Sequence, residues 1–394
     1  MAEVLSDQEY IHPLKLFDIA KNEKRLLYTS APMVRYSKLA FRQTAHQYGT
    51  DLCWTPMILA KEFNRNNFAR DSDFTISTKG PQPPTIVQFG ANVPQELARA
   101  SSLVAPFASG VDLNCGCPQS WACASTLGAA LMEKRELVRD MVVATREQLR
   151  QDGWDVSLQD SADSPGRGRS VSIKIRVHKD LRRTVDFVTT LLSPTASLAR
   201  PIDFLTIHPR TRQTPSSVPI NLEALELLTT KFGDQVPILL SGDVFALSSL
   251  PFSSPLLSDP ASLPTFTSSE AEAQHPHAHA HPQMVKPSVS IPKLSGLMSA
   301  RAQLANPALY AGYDACPWEA VETFLNNVAR APLPFKLTLH HVMEMCSPGM
   351  GPNKNALLSK QERSALMQCG NMLDLIDFLD EKKGGVGVTR REGN

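Results

Sequence analysis

The chain has 394 residues, 42% hydrophobic and 20% charged, with a formal net charge of +1, so a globular cytosolic protein with one large core and room for a smaller second one is the default. No run approaches the roughly 18 to 20 apolar residues of a membrane span, and the first ten residues lack the basic start and apolar run of a signal peptide, which leaves no membrane role. Seven scattered cysteines, an odd number, suit reduced thiols better than a disulfide framework, and the near-zero net charge leaves nucleic-acid binding to be judged from where the cations sit.

Residues 1–25 read as an N-terminal extension. Short β-rich apolar runs then recur at 26–30, 52–55, 85–89, 110–114, 171–176, 203–208, 236–241 and 294–299, each followed by a turn and a helix-like segment. Strand and helix alternating in this way, mostly about 25 to 35 residues apart, predict parallel βαβ units. Eight of them predict an α/β fold of the (β/α)8 TIM-barrel type rather than an open doubly wound sheet. Working residues in such a barrel follow the carboxyl ends of strands. That rule points to Pro32, Met33 and Val34, to Gln88, Cys117, Lys174 and His208, to Gly242 and Asp243, and to Ala300 and Arg301.

Three stretches interrupt the pattern. Residues 159–169 and 193–200 read as solvated loops. Residues 245–292, rich in Ser and Pro, stand where the helix between the last two strands belongs and are expected to form a disordered insertion. Their alternating histidines, His275, His277, His279 and His281, could bind a metal, and a misjudged exon boundary is another explanation. After Pro307, segments 317–329, 336–345 and 360–380 carry apolar residues at three- and four-residue spacing. The barrel is therefore expected over 26–313 and a small helical C-terminal region with a flexible tail over 314–394.

The strand 110–114 stops in the turn Asn114-Cys-Gly-Cys-Pro118, where Gly116 permits a sharp bend and Pro118 fixes the exit. Cys117 is thereby held at a strand rim, positioned for chemistry unless it is an ordinary buried thiol. Cys115 carries no role beyond packing. Lys174 and Arg176 alternate with Ile173, Ile175 and Val177, so the two cations share one strand face. An inward lysine needs an anionic ligand, an electron-rich cofactor edge or a barrel carboxylate. His208, at a strand end, is either a core or a site histidine.

Ser241-Gly242-Asp243 and Ala300-Arg301-Ala302 occupy the two places where barrels of this kind hold phosphate, by backbone N–H groups and a forked guanidinium. Arg176, Lys179, Arg210 and Arg212, with His178, Arg182 and Arg183, gather positive charge beyond the fifth and sixth strands. They make either a solvated face or the mouth of a site for a polyanion such as nucleic acid. Trp121 is expected to pack under the Cys117 loop, stacking on a base being the alternative. Cys115, Cys117 and Cys123 lack paired CxxC spacing and a fourth ligand, so no metal site is expected.

Several motifs in order, Ala31-Pro-Met-Val-Arg-Tyr-Ser-Lys-Leu-Ala-Phe-Arg42, Asp51-Leu-Cys-Trp-Thr-Pro-Met57, Ile86-Val-Gln-Phe89, Asp112-Leu-Asn-Cys-Gly-Cys-Pro-Gln119, Ser172-Ile-Lys-Ile-Arg176 and Ala305-Asn-Pro-Ala308, carry a family likeness. The chain resembles the tRNA-dihydrouridine synthases, most closely their eukaryotic type 4 class, over about Leu26 to Tyr313. The resemblance implies an FMN flavoprotein, an oxidoreductase that reduces the C5–C6 bond of uridine in the tRNA D-loop at positions 20a and 20b. NADPH or NADH would recharge the flavin. It implies tRNA as the partner, with no stable protein partner inferred, and a cytoplasmic location, the nucleus remaining open.

By the same resemblance, Pro32, Met33 and Val34 would lie against the isoalloxazine ring, Gln88 would bond its polar edge, and Lys174 and His208 would sit beside it. Ser241, Gly242, Asp243, Ala300 and Arg301 would hold the phosphate, Asn114 would help place the uracil, and Arg176, Lys179, Arg210 and Arg212 would meet the tRNA. Cys117 matches the catalytic acid, which gives a proton to C5 as hydride reaches C6. The chain departs from the family at Ser241 (usually Asn), Ala302 (usually Gly), Ser120 (usually Arg) and Ser125 to Leu127. Ala302 is expected to weaken the phosphate site if the family glycine uses a positive φ. The alternatives are a tRNA-binding barrel that has lost flavin and activity, and a flavin oxidoreductase acting on a free pyrimidine.

Overall fold

The computed structural model describes residues 10–75, 80, 82–156, 166–196, 199–257 and 289–384. Nine strands follow in chain order: β1 (Leu27–Ser30), β2 (Leu52–Trp54), β3 (Ile58–Leu59), β4 (Thr85–Gly90), β5 (Gly110–Cys115), β6 (Ser170–Arg176), β7 (Phe204–His208), β8 (Ile238–Ser241) and β9 (Gly296–Ser299). All pair in parallel, and the β2–β4 and β1–β9 pairings close eight of them into a barrel. The predicted TIM-barrel architecture is the observed one. The two-residue β3 was absent from the expected elements; it pairs with the far end of β4 at Phe89 and Gly90 after Pro56 ends β2.

The helices are α1 (Pro13–Asn22), α2 (Leu39–Gln47), α3 (Ala60–Arg65), α4 (Asn67–Asp73), α5 (Pro94–Val104), α6 (Ser120–Ala124), α7 (Arg135–Gln151), α8 (Leu181–Leu192) and α9 (Leu222–Phe232). After β9 come α10 (Arg301–Ala305), α11 (Trp318–Arg330), α12 (Phe335–Met345), α13 (Lys360–Leu366) and α14 (Met372–Gly384). α7 shows how the outer layer attaches: Val138, Met141, Val142, Thr145 and Leu149 recur at helical spacing and are all buried. Arg146 on the same face is buried as well, ion-paired with Asp203 just before β7 at 2.7 Å.

Strand residues are buried on both faces, which is why the strands read as continuous apolar runs. Inside the barrel, Leu27, Leu52, Trp54, Ile86, Phe204, Leu239 and Met298 form a core with Leu16, Phe17 and Ala20 of α1. Phe17 and Trp54 both meet the ring of Phe204, at 5.5 and 5.9 Å between centroids. The segment expected only as an extension thus supplies a helix that plugs the amino ends of the strands. A second core joins α2 to α11–α14 through Phe41, Phe324, Leu339, Val342 and Leu375.

Between β8 and β9 the described residues hold no α-helix. The two ends of the insertion meet: the Ser253 N–H donates to Val289 O at 2.9 Å, and the Ile291 N–H donates to Ser253 O at 2.8 Å. Residues 258–288, with the four histidines, fall outside the described residues, as do 157–165, 197–198 and the expected tail at 385–394. Among the described residues no helix is long and apolar enough to cross a membrane.

Candidate active site

β5 ends at Cys115, which is fully buried, and the chain then leaves the barrel wall. Asn114 makes it turn: its Oδ1 accepts the N–H groups of Gly116 at 3.0 Å and Cys117 at 2.9 Å. This is the side-chain mimicry of a backbone turn at which asparagine excels. From the neighbouring strand, Arg176 donates from Nε to Gly116 O and from Nη1 to Thr211 O, both at 2.8 Å. On the far side, the Ala129 N–H donates to Cys117 O at 2.8 Å. Gly128, at φ +59°, passes directly beneath Cys117.

Cys117 is left half-buried at the rim. Burial raises its thiol pKa, opposed by the N–H of Gln119 and the charges of Arg176 and Lys174. A thiol held above its ordinary range is protonated at neutral pH and has a proton to give.

Behind the turn lies a chain of buried polar groups. Asp112 accepts from Gln88 Nε2 through one oxygen and from Ser172 Oγ through the other, each at 2.7 Å. Gln88 Oε1 accepts from Asn114 Nδ2 at 2.8 Å. Burial pushes the Asp112 carboxyl up to about 6, against the hydrogen bonds from Gln88 and Ser172 and the charge of Lys174, so it is mostly ionised at neutral pH. Gln88 is fully buried and Asn114 nearly so. Each of their amide NH2 groups has a second hydrogen beyond these bonds.

A cavity of about 180 Å³ opens over β8 and β9. It brings together Pro32, Lys174, His208, Ser241, Gly242, Asp243, Ala300 and Arg301, contributed by the ends of five different strands. Met33, Val34 and Gln88 do not line it: Met33 packs toward the second core and Val34 is exposed. Phe245 and Met350 do line it, and neither was among the expected residues.

Gly242 is at φ +115°, and a Cβ there would stand 3.0 Å from the His208 ring, so only glycine lets the backbone come this close. Asp243 follows at φ +55°, its carboxylate accepting from Arg210 at 2.5 Å and from the Ile220 N–H at 2.8 Å. Ala302 lies within α10 and is not among the positive-φ residues, so the strain expected from replacing a glycine there is absent.

Arg210, expected to meet the substrate, lines the inner cavity and is not among the residues of the outer groove. It is only 5% exposed, with Nε donating to Val218 O, Nη2 to Asp243, and Nη1 reaching His208 Nε2 at 3.0 Å. It reads as surface charge in sequence because Val218 and Asp243, which accept from it, are 8 and 33 residues away. Since a guanidinium only donates, His208 Nε2 must accept, which places the ring proton on Nδ1. Burial and the cations Lys174, Arg176, Arg210 and Arg301 push His208 down to about 2, so it is neutral throughout the working pH range.

Burial, and then Arg176, also push Lys174 down to about 8. Neither Lys174 nor Arg301 has a hydrogen-bonded or ion-paired partner among the described residues. Asp112 lies within electrostatic reach of Lys174, and Asp243 pairs with Arg210, which leaves Arg176 and Arg301 in excess, a positive balance that an anionic ligand would complete.

A larger groove of about 720 Å³ has Arg176, His178, Lys179, Arg182, Arg183 and Arg212 on its walls. Arg182 pairs with Asp180 at 3.0 Å and Arg183 with Glu133, whereas Lys179 and Arg212 are exposed. Trp121 does not pack under the Cys117 loop as expected; it is 47% exposed.

A family model described as dihydrouridine synthase (Dus) matches residues 29–253. The chain is 34% identical over 369 residues to a tRNA-dihydrouridine(20a/20b) synthase (NAD(P)+) of Schizosaccharomyces pombe, covering 94% of this chain and 91% of that one. It is 32% identical to a similarly named synthase-like protein of Homo sapiens, covering 94% of each. With the synthase of that name from Saccharomyces cerevisiae the identity is 33%, over 92% of this chain and 81% of the other.

Proposed function

This chain belongs to the dihydrouridine synthase family, and from that premise we propose that it reduces uridine to 5,6-dihydrouridine in the D-loop of tRNA, at positions 20a and 20b. FMN is its bound cofactor and NADPH or NADH the reductant. The observation that carries this reading is a half-buried thiol fixed in a turn by three neighbours, with Lys174, a lysine of the cavity wall, within electrostatic reach and Arg301 across that cavity free of any hydrogen-bonded partner among the described residues.

The cavity suits FMN by the chemistry of its donors. Gly242 gives close backbone approach, and Arg301 and the backbone about Ser241, Asp243 and Ala300 would hold the phosphate. Lys174 would offer a positive charge to a ring that becomes electron-rich on reduction, and neutral His208, held by Arg210, would offer one ring N–H in a fixed direction. Reduced FMN supplies the hydride that C6 of the uracil receives.

Cys117 gives its proton to C5, and the thiolate it becomes is stabilised by the charges of Arg176 and Lys174 until water returns a proton. Arg176, Lys179 and Arg212 along the groove hold tRNA phosphates, and a loop nucleotide leaves its stack more cheaply than a paired one. All seven cysteines are free, which supports work in a reducing compartment, the cytoplasm.

The test is dihydrouridine formation, mapped by nucleotide, on unmodified tRNA with purified protein, FMN and NADPH. Product at 20a or 20b is expected. None, with both tRNA and FMN bound, would overturn the reading.

A further inference from the structure

We propose that Asp112 directs a relay of oriented amides, through Gln88 and Asn114, that fixes the turn carrying Cys117, which makes Asp112 a positioning residue for the proton donor. The inference deepens the reading of Cys117 as the acid and rests on it. The argument is one of hydrogen-bond polarity. An ionised carboxylate only accepts, so Gln88 must turn its NH2 group toward Asp112, as it does at 2.7 Å. Its carbonyl then faces Asn114 and takes the Asn114 NH2 group at 2.8 Å. That in turn leaves the Asn114 carbonyl facing the Gly116 and Cys117 N–H groups, which only donate.

Reversing either amide alone sets oxygen against oxygen and NH2 against NH2. With an acceptor fixed at one end and two donors at the other, a single arrangement satisfies every group. Asp112, Gln88 and Asn114 are 1%, 0% and 7% exposed, so water cannot substitute for a lost partner. A buried carboxylate is a costly way to fill space, and an apolar residue would fill the same volume at lower cost. Its direction-setting acceptors are what an apolar residue lacks.

The test uses isosteric exchanges that leave shape unchanged. In Asn114→Asp, the new carboxylate still accepts from the turn but opposes the Gln88 carbonyl, and Gln88 cannot reverse because Asp112 holds its NH2 group. Adding Asp112→Asn moves the charge to the other end of the relay, so that Gln88 reverses and every bond is restored. Hydrogen exchange of the Gly116 and Cys117 amides is measured on the full-length protein at pH 8, with the Ile173 amide of β6 as an internal control for barrel opening.

Asn114→Asp is expected to speed exchange at the two turn amides about tenfold, the worth of roughly one hydrogen bond. Asp112→Asn alone is expected to change it little, and the double variant to return within about threefold of the parent, a non-additive cycle. Parent-like exchange in Asn114→Asp, or a double variant no better protected than Asn114→Asp, overturns the relay. Should Asn114→Asp fail to fold, a folded and protected double variant still supports the relay, and an unfolded one overturns it. None of these readings depends on turnover, so a protein that made no dihydrouridine could still show the relay, and the reverse.

Discussion

A methyl group added to Gly128 would stand 2.5 Å from the carbonyl oxygen of Cys117 and 2.8 Å from its Cβ. The two residues are in backbone contact across the turn, and Gly128 adopts a positive φ that side chains disfavour. Gly128→Ala must therefore push Cys117 outward. A displacement of about 1 Å at a reacting group can cost about a hundredfold. Single-turnover dihydrouridine formation is expected to fall at least about tenfold, with tRNA affinity kept; undiminished turnover would show that the thiol does not need this seat.

Cys117→Ala removes the proton donor and leaves the cations of the cavity and groove in place. Turnover is expected to fall by about 10² to 10⁴, the range associated with a general acid, while FMN and tRNA still bind. Filter binding and flavin fluorescence check the second half. Loss of binding along with turnover would make the thiol a structural group.

Lys174 gives the site a pH dependence whose sign can be worked out. With its pKa pushed down to about 8 in the free protein, the ammonium is charged below that pH whether or not an anion is bound, and affinity is flat. Above it, the free protein loses the charge while a bound anion holds it on, so FMN affinity is expected to fall by up to about tenfold per pH unit. Lys174→Met should bind more weakly and lose this slope. A titration that stays flat to pH 9.5 would contradict the assignment.

The buried pair of Arg146 and Asp203 ties α7 to the start of β7, and Asp203 also accepts the Val171 N–H at 2.8 Å. Removing one partner strands a charge in the core. Arg146→Leu or Asp203→Leu is expected to cost about 3–5 kcal/mol in urea unfolding. The double replacement should cost less than the sum of the two. Additive losses would mean that the pair is not coupled.

The barrel was readable because most strand residues are buried on both faces, and the resulting short apolar runs come mostly about 25 to 35 residues apart. Cys117 was readable from its turn, where glycine and proline leave few conformations. Most of what was missed has one cause, which is distance along the chain. Arg210 looks like a surface cation until Asp243, 33 residues on, turns to meet it. Met350 reaches the cavity from beyond α12, a region whose helical spacing says nothing about the loops between helices. Gly128 was silent because a positive φ leaves no periodic mark. α1 did carry a signal, in Leu16, Phe17 and Ala20 on one face, but its partner Phe204 lies far along the chain.

Ser253 and Ser290 lie side by side, joined by backbone hydrogen bonds to Val289 and Ile291, with Phe252 and Ile291 buried next to them. A chain that has returned to its point of departure imposes no length on what it carries between. The barrel can therefore accept cargo there, such as a fluorophore, an affinity handle or a second domain, while β8 and β9 keep their register. This junction is the natural place to attach a reporter for watching tRNA arrive.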